Sequence, residues 1–412
     1  MNKTLLALAA VFCSFALAQP PAGGRAGGGR GAPPVKSPEV SADGRITLRL
    51  RAPNAREVVV TGLVAGQRLA MQKDEQGVWS VTTDPMQPDM YSYLFSVDGA
   101  NFTDPNNGEF KTAMVGAGQS MVHVPGTVSW EPASGIARGA VAHHFYHSAI
   151  VGDDRDYYVY TPPNYDPARK ELYPVLYLLH GLGDDASGWI TAGAANVILD
   201  NLIAQGKAKP MIMVNTLGYG VANMLSGGGR GMGGDTMIPN FVRAVIEEVM
   251  PQVEKEYRVS KDRNQRAIAG LSMGGAEALF TGLNHLDKFA YVASFSGAFV
   301  MWPRGTAAAP PAAAPAPGGG GRGPQTLDDS VFDRNFPNAT SKINSQLKLL
   351  WIGCGTEDGL NGVNRQFKSW LKAKDIQFTD VETPGFAHVW PLWRRNLTEI
   401  APMLFQQVKA GK

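Results

Sequence analysis

Cysteine is nearly missing from this chain: Cys13 and Cys354 are the only two in 412 residues. Cys13 lies in a segment expected to be removed, so the mature chain cannot form an internal disulfide. Cys354 sits inside the apolar run LKLLWIGCG, where strand packing is the expected role. Charge is also sparse. Charged residues make up 18% and the net charge is +2, which leaves no electrostatic case for a nucleic acid or an anionic membrane as partner. Long apolar runs are missing too. The one at the N-terminus is too short to span a bilayer, and no other segment reads as transmembrane.

Residues 1–18, MNKTLLALAAVFCSFALA, have the plan of a secretory signal: Lys3, an apolar stretch Leu5–Phe15, and the small-residue site Ala16-Leu17-Ala18. Cleavage is expected after Ala18, giving a secreted or periplasmic protein. Residues 19–37 are rich in Pro and Gly and read as a tether. Similar stretches recur at 222–236 and 303–325, where they read as long surface loops. Their Gly-Arg runs lack the interleaved aromatics of RNA-binding tails.

Residues 38–126 contain short alternating or β-branched runs bounded by turn residues, among them GRITLRLRAP, REVVVTGLV and YSYLFSVDG. This predicts a small immunoglobulin-like sandwich. Residues 127–412 change register. Apolar strands such as YPVLYLLHG, MIMVNTLG, RAIAGLS, FAYVASFSG and LKLLWIGCG alternate with helical stretches. That alternation predicts an α/β domain with a mostly parallel sheet covered on both faces.

Within that domain, AIAGLSMGGAEA at 267–278 places Ser272 between Gly270 and Gly274. The spacing fits a nucleophile elbow, in which a strand turns sharply into a helix. Glycine is abundant, 48 residues of 412, so the motif carries weight only with its partners. A serine hydroxyl needs a base and an orienting acid, which follow it in the order acid, then His, in this architecture. Only His285 and His388 follow Ser272. His285 falls on the helix running away from the elbow, whereas His388, in TPGFAHVW, falls in a loop after the last strand. In GCGTEDGL both Glu357 and Asp358 follow an apolar strand; Asp358 is the preferred acid, with Glu357 in reserve. The oxyanion would be bound by the Met273 N–H and by a second N–H from the loop LLHGLGDD, assigned to Leu182. His180 is read as structural, bonding near the strand end, and the histidines of HHFYH at 143–147, in a strand-like segment without a paired acid or cysteine cluster, are read as structural too. No metal or cofactor is expected.

These residues carry a resemblance. The stretches YYVYTPPNYD, YPVLYLLHGLGDDASGW, RAIAGLSMGG, LWIGCGTEDGL and ETPGFAHVWPLWRRNL make the segment from about 140 to 408 similar to the esterase D-like family, in particular carbohydrate esterase family 1. The resemblance implies an α/β-hydrolase fold, a Ser272, Asp358, His388 triad, and feruloyl or acetyl esters of a plant polysaccharide such as xylan as substrate. Relatives of the fold include acyltransferases and siderophore esterases. A non-catalytic glycan-binding protein on the same scaffold is the alternative from another class. Residues 38–126 resemble the early-set sandwich related to carbohydrate-binding module family 48, without its glycan-contacting Trp turn. Trp79, Tyr91 and Tyr93 are read there as core. Trp189, Tyr219 and Trp390 are the expected aromatic walls of the substrate pocket.

Overall fold

The computed structural model describes residues 34–64, 66–114, 118–222, 235–305 and 327–406. The expected signal segment 1–18, most of the stretch read as a tether, and most of the two Gly-rich stretches lie outside these residues. From Lys36 onward the described residues form one packed body.

The first part of that body follows from strict alternation. Ile46, Leu48 and Leu50 of ITLRLR point inward while the residues between them face out. Ile46–Arg51 pairs with Val78–Thr82 in a four-stranded antiparallel sheet. The facing sheet is built around the long strand Asp89–Val97, which pairs with Val58–Thr61 and Gln119–Val124. Their inner faces meet over Ile46, Leu48, Val60, Trp79, Tyr93 and Phe95. Trp79 and Tyr93 are core residues, with Trp79 Nε1 donating to Ala52 O and the Tyr93 hydroxyl to Asp104; Tyr91 is partly buried against the same cluster.

The second part is an eight-stranded sheet. Its strands are β1 (Ala140–Ser148), β2 (Asp153–Thr161), β3 (Val175–Leu179), β4 (Ile212–Thr216), β5 (Arg266–Leu271), β6 (Tyr291–Phe295), β7 (Leu349–Gly355) and β8 (Thr379–Thr383). The spatial order is β1-β2-β4-β3-β5-β6-β7-β8. β1 and β2 form an antiparallel hairpin, and β2 meets β4 antiparallel. Every pairing from β4 to β8 is parallel. Strands β3 to β7 are buried along their whole length, as expected of strands covered on both faces.

Alternate side chains of each strand feed two different cores. Val175, Tyr177 and Leu179 join one, under the helices α2 (Met237–Ala244), α4 (Met273–Asn284) and α5 (Asn361–Ala373). Leu176 and Leu178 join the other, under α1 (Ala195–Ala204) and α6 (Trp390–Ile400). The helix α3 (Met250–Glu256) continues α2 through a π-helical turn at Val245–Val249. None of the described helices is long and apolar enough to cross a membrane.

HHFYH lies on the edge strand β1, and its histidines go to separate partners. His143 bonds Asp156 and stacks on Tyr158, His144 bonds the Tyr257 hydroxyl, and His147 bonds Asp154. The buried Cys354 is the penultimate residue of β7.

Candidate active site

The carboxyl ends of β5, β7 and β8 converge on one region, where ligands bind in open α/β sheets. Ser272 stands between β5 and α4 with φ +52° and ψ −114°, a strained conformation for a residue with a Cβ. The surrounding backbone holds it there: Ser272 N–H donates to Phe295 O and its carbonyl accepts from Ala298 N–H, both at 2.8 Å. The helix must pass close under β3. A Cβ at Gly274 would come within 2.5 Å of His180 O and 2.6 Å of Leu179 O, so only glycine fits.

Asp358 follows β7 and has a fully buried side chain, while Glu357 beside it is exposed. The structure thus brings Asp358, and not Glu357, to His388: His388 Nδ1 lies 2.9 Å from Asp358 Oδ2. Leu360 N–H donates to the other oxygen at 2.8 Å. Burial alone would raise this carboxyl, but the facing His388 charge and the bonds from His388, Leu360 and Ser296 outweigh it and hold it below its usual range. A carboxylate only accepts, so in the neutral imidazole the proton sits on Nδ1 and Nε2 is the acceptor. The imidazole packs edge-on against Trp393, with centroids 4.9 Å apart. Among the described residues no hydrogen bond joins the Ser272 hydroxyl to His388; such bonds often tighten only when substrate binds. His285 caps the far end of α4.

The loop after β3 closes the other side. Gly181 lies against the elbow, where a Cβ would meet Leu271 Cδ1 at 2.6 Å and Ser272 Cβ at 3.3 Å. His180 ties this loop to the next: its Nδ1 donates to Gly181 O and its Nε2 accepts from Gly218 N–H at 2.9 Å. Burial holds the ring below its ordinary pKa, which fits this neutral bridging form. Gly183 N–H donates to the Tyr219 hydroxyl and Asp184 N–H to Gly181 O. Leu182 N–H has no acceptor among the described residues. Met273 N–H is the first donor of α4 and has no partner within the helix. The two amides assigned to the oxyanion are therefore available.

The aromatic expectations need correction. Trp189 is fully buried and donates its Nε1–H to Leu179 O, so it packs beneath the site and is not a pocket wall. Tyr219 is 1% exposed and spends its hydroxyl on Gly183 N–H and Asp184 O, which makes it a pin for the loop. Trp390, partly buried and edge-on to Trp189 and Trp393, keeps a surface open. Sequence reasoning missed Ser296 and Trp393. Ser296 follows β6 at φ +50°, its hydroxyl reaches Asp358, and Trp393 Nε1 donates to it. A non-glycine residue at positive φ beside an acid has no sequence signature. A cavity of about 290 Å³ lies apart from the triad, between the sandwich and Thr191.

Glu277 is the other residue missed. It sits on α4 five positions after Ser272, completely buried, and neither carboxyl oxygen has a hydrogen-bond partner among the described residues. Burial pushes its pKa well above the ordinary value of 4.5, with only the Arg155 charge working the other way. The folded protein thus keeps a proton that the unfolded chain releases. Stability must fall as pH rises above about 4.5, by up to ~1.4 kcal/mol per pH unit, until the folded group ionises. Glu277→Gln removes this slope. Thermal melts should show the variant matching wild type near pH 4 and exceeding it by about 3 °C or more at pH 8. An equal difference at both pH values would contradict the buried, protonated carboxyl.

Comparison with known proteins follows the same lines. The Esterase family model matches residues 148–404. The endo-1,4-beta-xylanase/feruloyl esterase of Xylanibacter ruminicola is 30% identical over 381 residues, covering 91% of this chain and 46% of the relative. The chain spans less than half the length of the curated relatives it matches. Among solved structures, the enterochelin esterase of Shigella flexneri aligns with TM-score 0.65 at 18% identity, over 90% of this chain and 95% of the other. A ferulic acid esterase from Anaeromyces mucronatus aligns with TM-score 0.53 at 22% identity, over 68% of this chain and 96% of the other. These two likenesses show the α/β-hydrolase fold. The family match begins after the sandwich.

Proposed function

This chain belongs to the Esterase family, and from that premise we propose that it is a serine carboxylic-ester hydrolase acting through an acyl-enzyme. The observation that carries the reading is the buried Asp358 bonded to His388 Nδ1 at 2.9 Å, which leaves Nε2 free to accept the Ser272 proton. His388 takes that proton as Ser272 Oγ attacks the ester carbonyl. The N–H groups of Met273 and Leu182 bind the oxyanion, His388 returns the proton to the leaving alcohol, and water then repeats the sequence to free the acid.

The substrate class we propose is a feruloyl or acetyl ester on a plant polysaccharide such as xylan. Support comes from the Xylanibacter ruminicola relative, whose name joins xylanase to feruloyl esterase. The partly open Trp390 suits a phenolic acyl group or a sugar ring. The test is a panel of methyl ferulate, p-nitrophenyl acetate and acetylated xylan, with Ser272→Ala as control. Wild type is expected to turn over methyl ferulate with higher kcat/KM than p-nitrophenyl acetate, and the control to turn over neither. Activity on acetylated xylan with none on methyl ferulate would narrow the acyl group to acetyl. Failure on the whole panel would overturn the ester reading.

A further inference from the structure

The sandwich reaches into the catalytic domain at one particular loop. Phe110–Lys111 is a short edge strand, held in register by Gln119 and Ser120 of the next strand. The chain running out of it delivers successive contacts to the segment after β3. Lys111 Nζ pairs with Asp184 Oδ1 at 2.5 Å, with both side chains largely buried, 12% and 9% exposed. The Thr112 hydroxyl bonds the Asp185 carboxylate and approaches Ser187 Oγ at 3.3 Å. Met114 N–H donates to Gly183 O at 2.9 Å, and its side chain packs on the catalytic core.

These contacts complete a set. Around Leu182, Gly181 O accepts from His180 and from Asp184 N–H, and Gly183 N–H goes to Tyr219. Gly183 O goes to Met114, and Asp184 O accepts from the Tyr219 hydroxyl. The catalytic domain therefore fixes one side of the loop through His180 and Tyr219, and the sandwich fixes the other. The Leu182 amide has no acceptor among the described residues, and it follows Gly181, where a Cβ would lie 3.3 Å from Ser272 Cβ. Gly183, at φ +95°, is a point where the loop could otherwise turn.

We propose that Lys111, with Thr112 and Met114, is a positioning element for the oxyanion hole, so that the sandwich is part of the catalytic machinery. The proposal rests on the reading of Met273 and Leu182 as oxyanion donors. Lys111 touches no reacting atom; it acts through Asp184 on the aim of the Leu182 N–H. A preorganised donor loses its effect when its direction drifts, and misplacements near 1 Å cost on the order of a hundredfold in rate.

The experiment uses the full chain. Lys111→Met is expected to lower kcat on p-nitrophenyl acetate by about ten- to a hundredfold, with KM within about twofold. Lys111→Arg keeps the charge and should retain most of the rate. A trifluoromethyl ketone forms a hemiketal oxyanion on the serine, so its Ki should rise by the same factor as kcat/KM falls. Binding of free ferulate should not change. Lys111→Met leaves Asp184 buried and unpaired and could unfold the chain. The double variant Lys111→Met/Asp184→Asn carries no stranded charge and should show the same kcat loss. Wild-type kcat in either folded variant would overturn the proposal. So would a rate loss with unchanged ketone affinity, since that is what a merely structural role predicts. Ser272→Ala separates the two levels: if it is inactive while the Lys111 variants turn over normally, the esterase reading stands and only the positioning role falls. If Ser272→Ala is active, the reading beneath both is wrong.

Discussion

Ser272→Ala is expected to lower kcat by about a millionfold while leaving KM within a few-fold of wild type. The argument starts from the backbone. Ser272 is held at φ +52° and ψ −114° by bonds to Phe295 O and from Ala298 N–H, neither of which uses its side chain. Alanine keeps the Cβ, the strain and those bonds, and loses only the oxygen that would attack. The Leu182 and Met273 amides remain, so a residual acceleration of about 10³ to 10⁴ over water is expected from binding and oxyanion stabilisation alone. Ser272→Gly makes the complementary point. It is equally inactive, but glycine adopts this conformation without penalty, and strain of this kind costs about 1–3 kcal/mol. Thermal melts should place Ser272→Gly above Ser272→Ala by about 2 °C or more. Activity above 1% of wild type in either variant, measured after purification free of host esterases, would remove Ser272 from its role.

How much of this was legible beforehand depends on the kind of signal. Strands buried on both faces announce themselves as continuous apolar runs, so β3 to β7 could be placed from VLYLL, IMVNT, RAIAGL, YVASF and LLWIGCG alone. A candidate serine and histidine could be named from the chain because its order in this architecture leaves two histidines to choose between, one of them on the helix that runs away from the elbow. What the sequence could not express is direction. Trp189 and Trp390 are equally aromatic, and only packing decides that one is sealed under Leu179 while the other stays partly open. Glu277 reads as an ordinary helix residue, since nothing local says that Arg155, 122 positions earlier, will face it in the core. The Lys111–Asp184 pair joins residues 73 apart and belongs to two differently patterned segments. Neighbouring acids were the hardest case: Glu357 and Asp358 share a loop, a charge and a strand end, and differ only in which one turns inward.

That last distinction has a large functional consequence. Asp358→Asn is expected to lower kcat by about 10⁴, whereas Glu357→Gln stays within about threefold of wild type. In wild type one carboxylate oxygen accepts from Leu360 N–H at 2.8 Å and the other from His388 Nδ1 at 2.9 Å. Asparagine has one acceptor and one donor to place in those two positions. If its oxygen stays on Leu360 N–H, its NH₂ faces His388 and can only donate. The imidazole must then accept on Nδ1 and carry its proton on Nε2, where it can no longer receive one from Ser272. Turning the amide over would set its NH₂ against the Leu360 N–H, two donors with no acceptor between them in a buried site. The backbone amide therefore selects the inactive tautomer. Glu357 lies exposed and engages Phe386 through its main chain, so its side chain can be neutralised freely. The measurements are kcat for both variants across pH 5 to 9 and a melt for each. Because Asp358 is held below its usual range, its contribution to wild-type stability is present above its unfolded value near 3.8 and is lost as pH falls through the lower folded value. The melting difference between wild type and Asp358→Asn should accordingly narrow only in strong acid, while the rate difference persists across the neutral range. A large loss in Glu357→Gln with little in Asp358→Asn would reassign the acid, and with it the proton on His388.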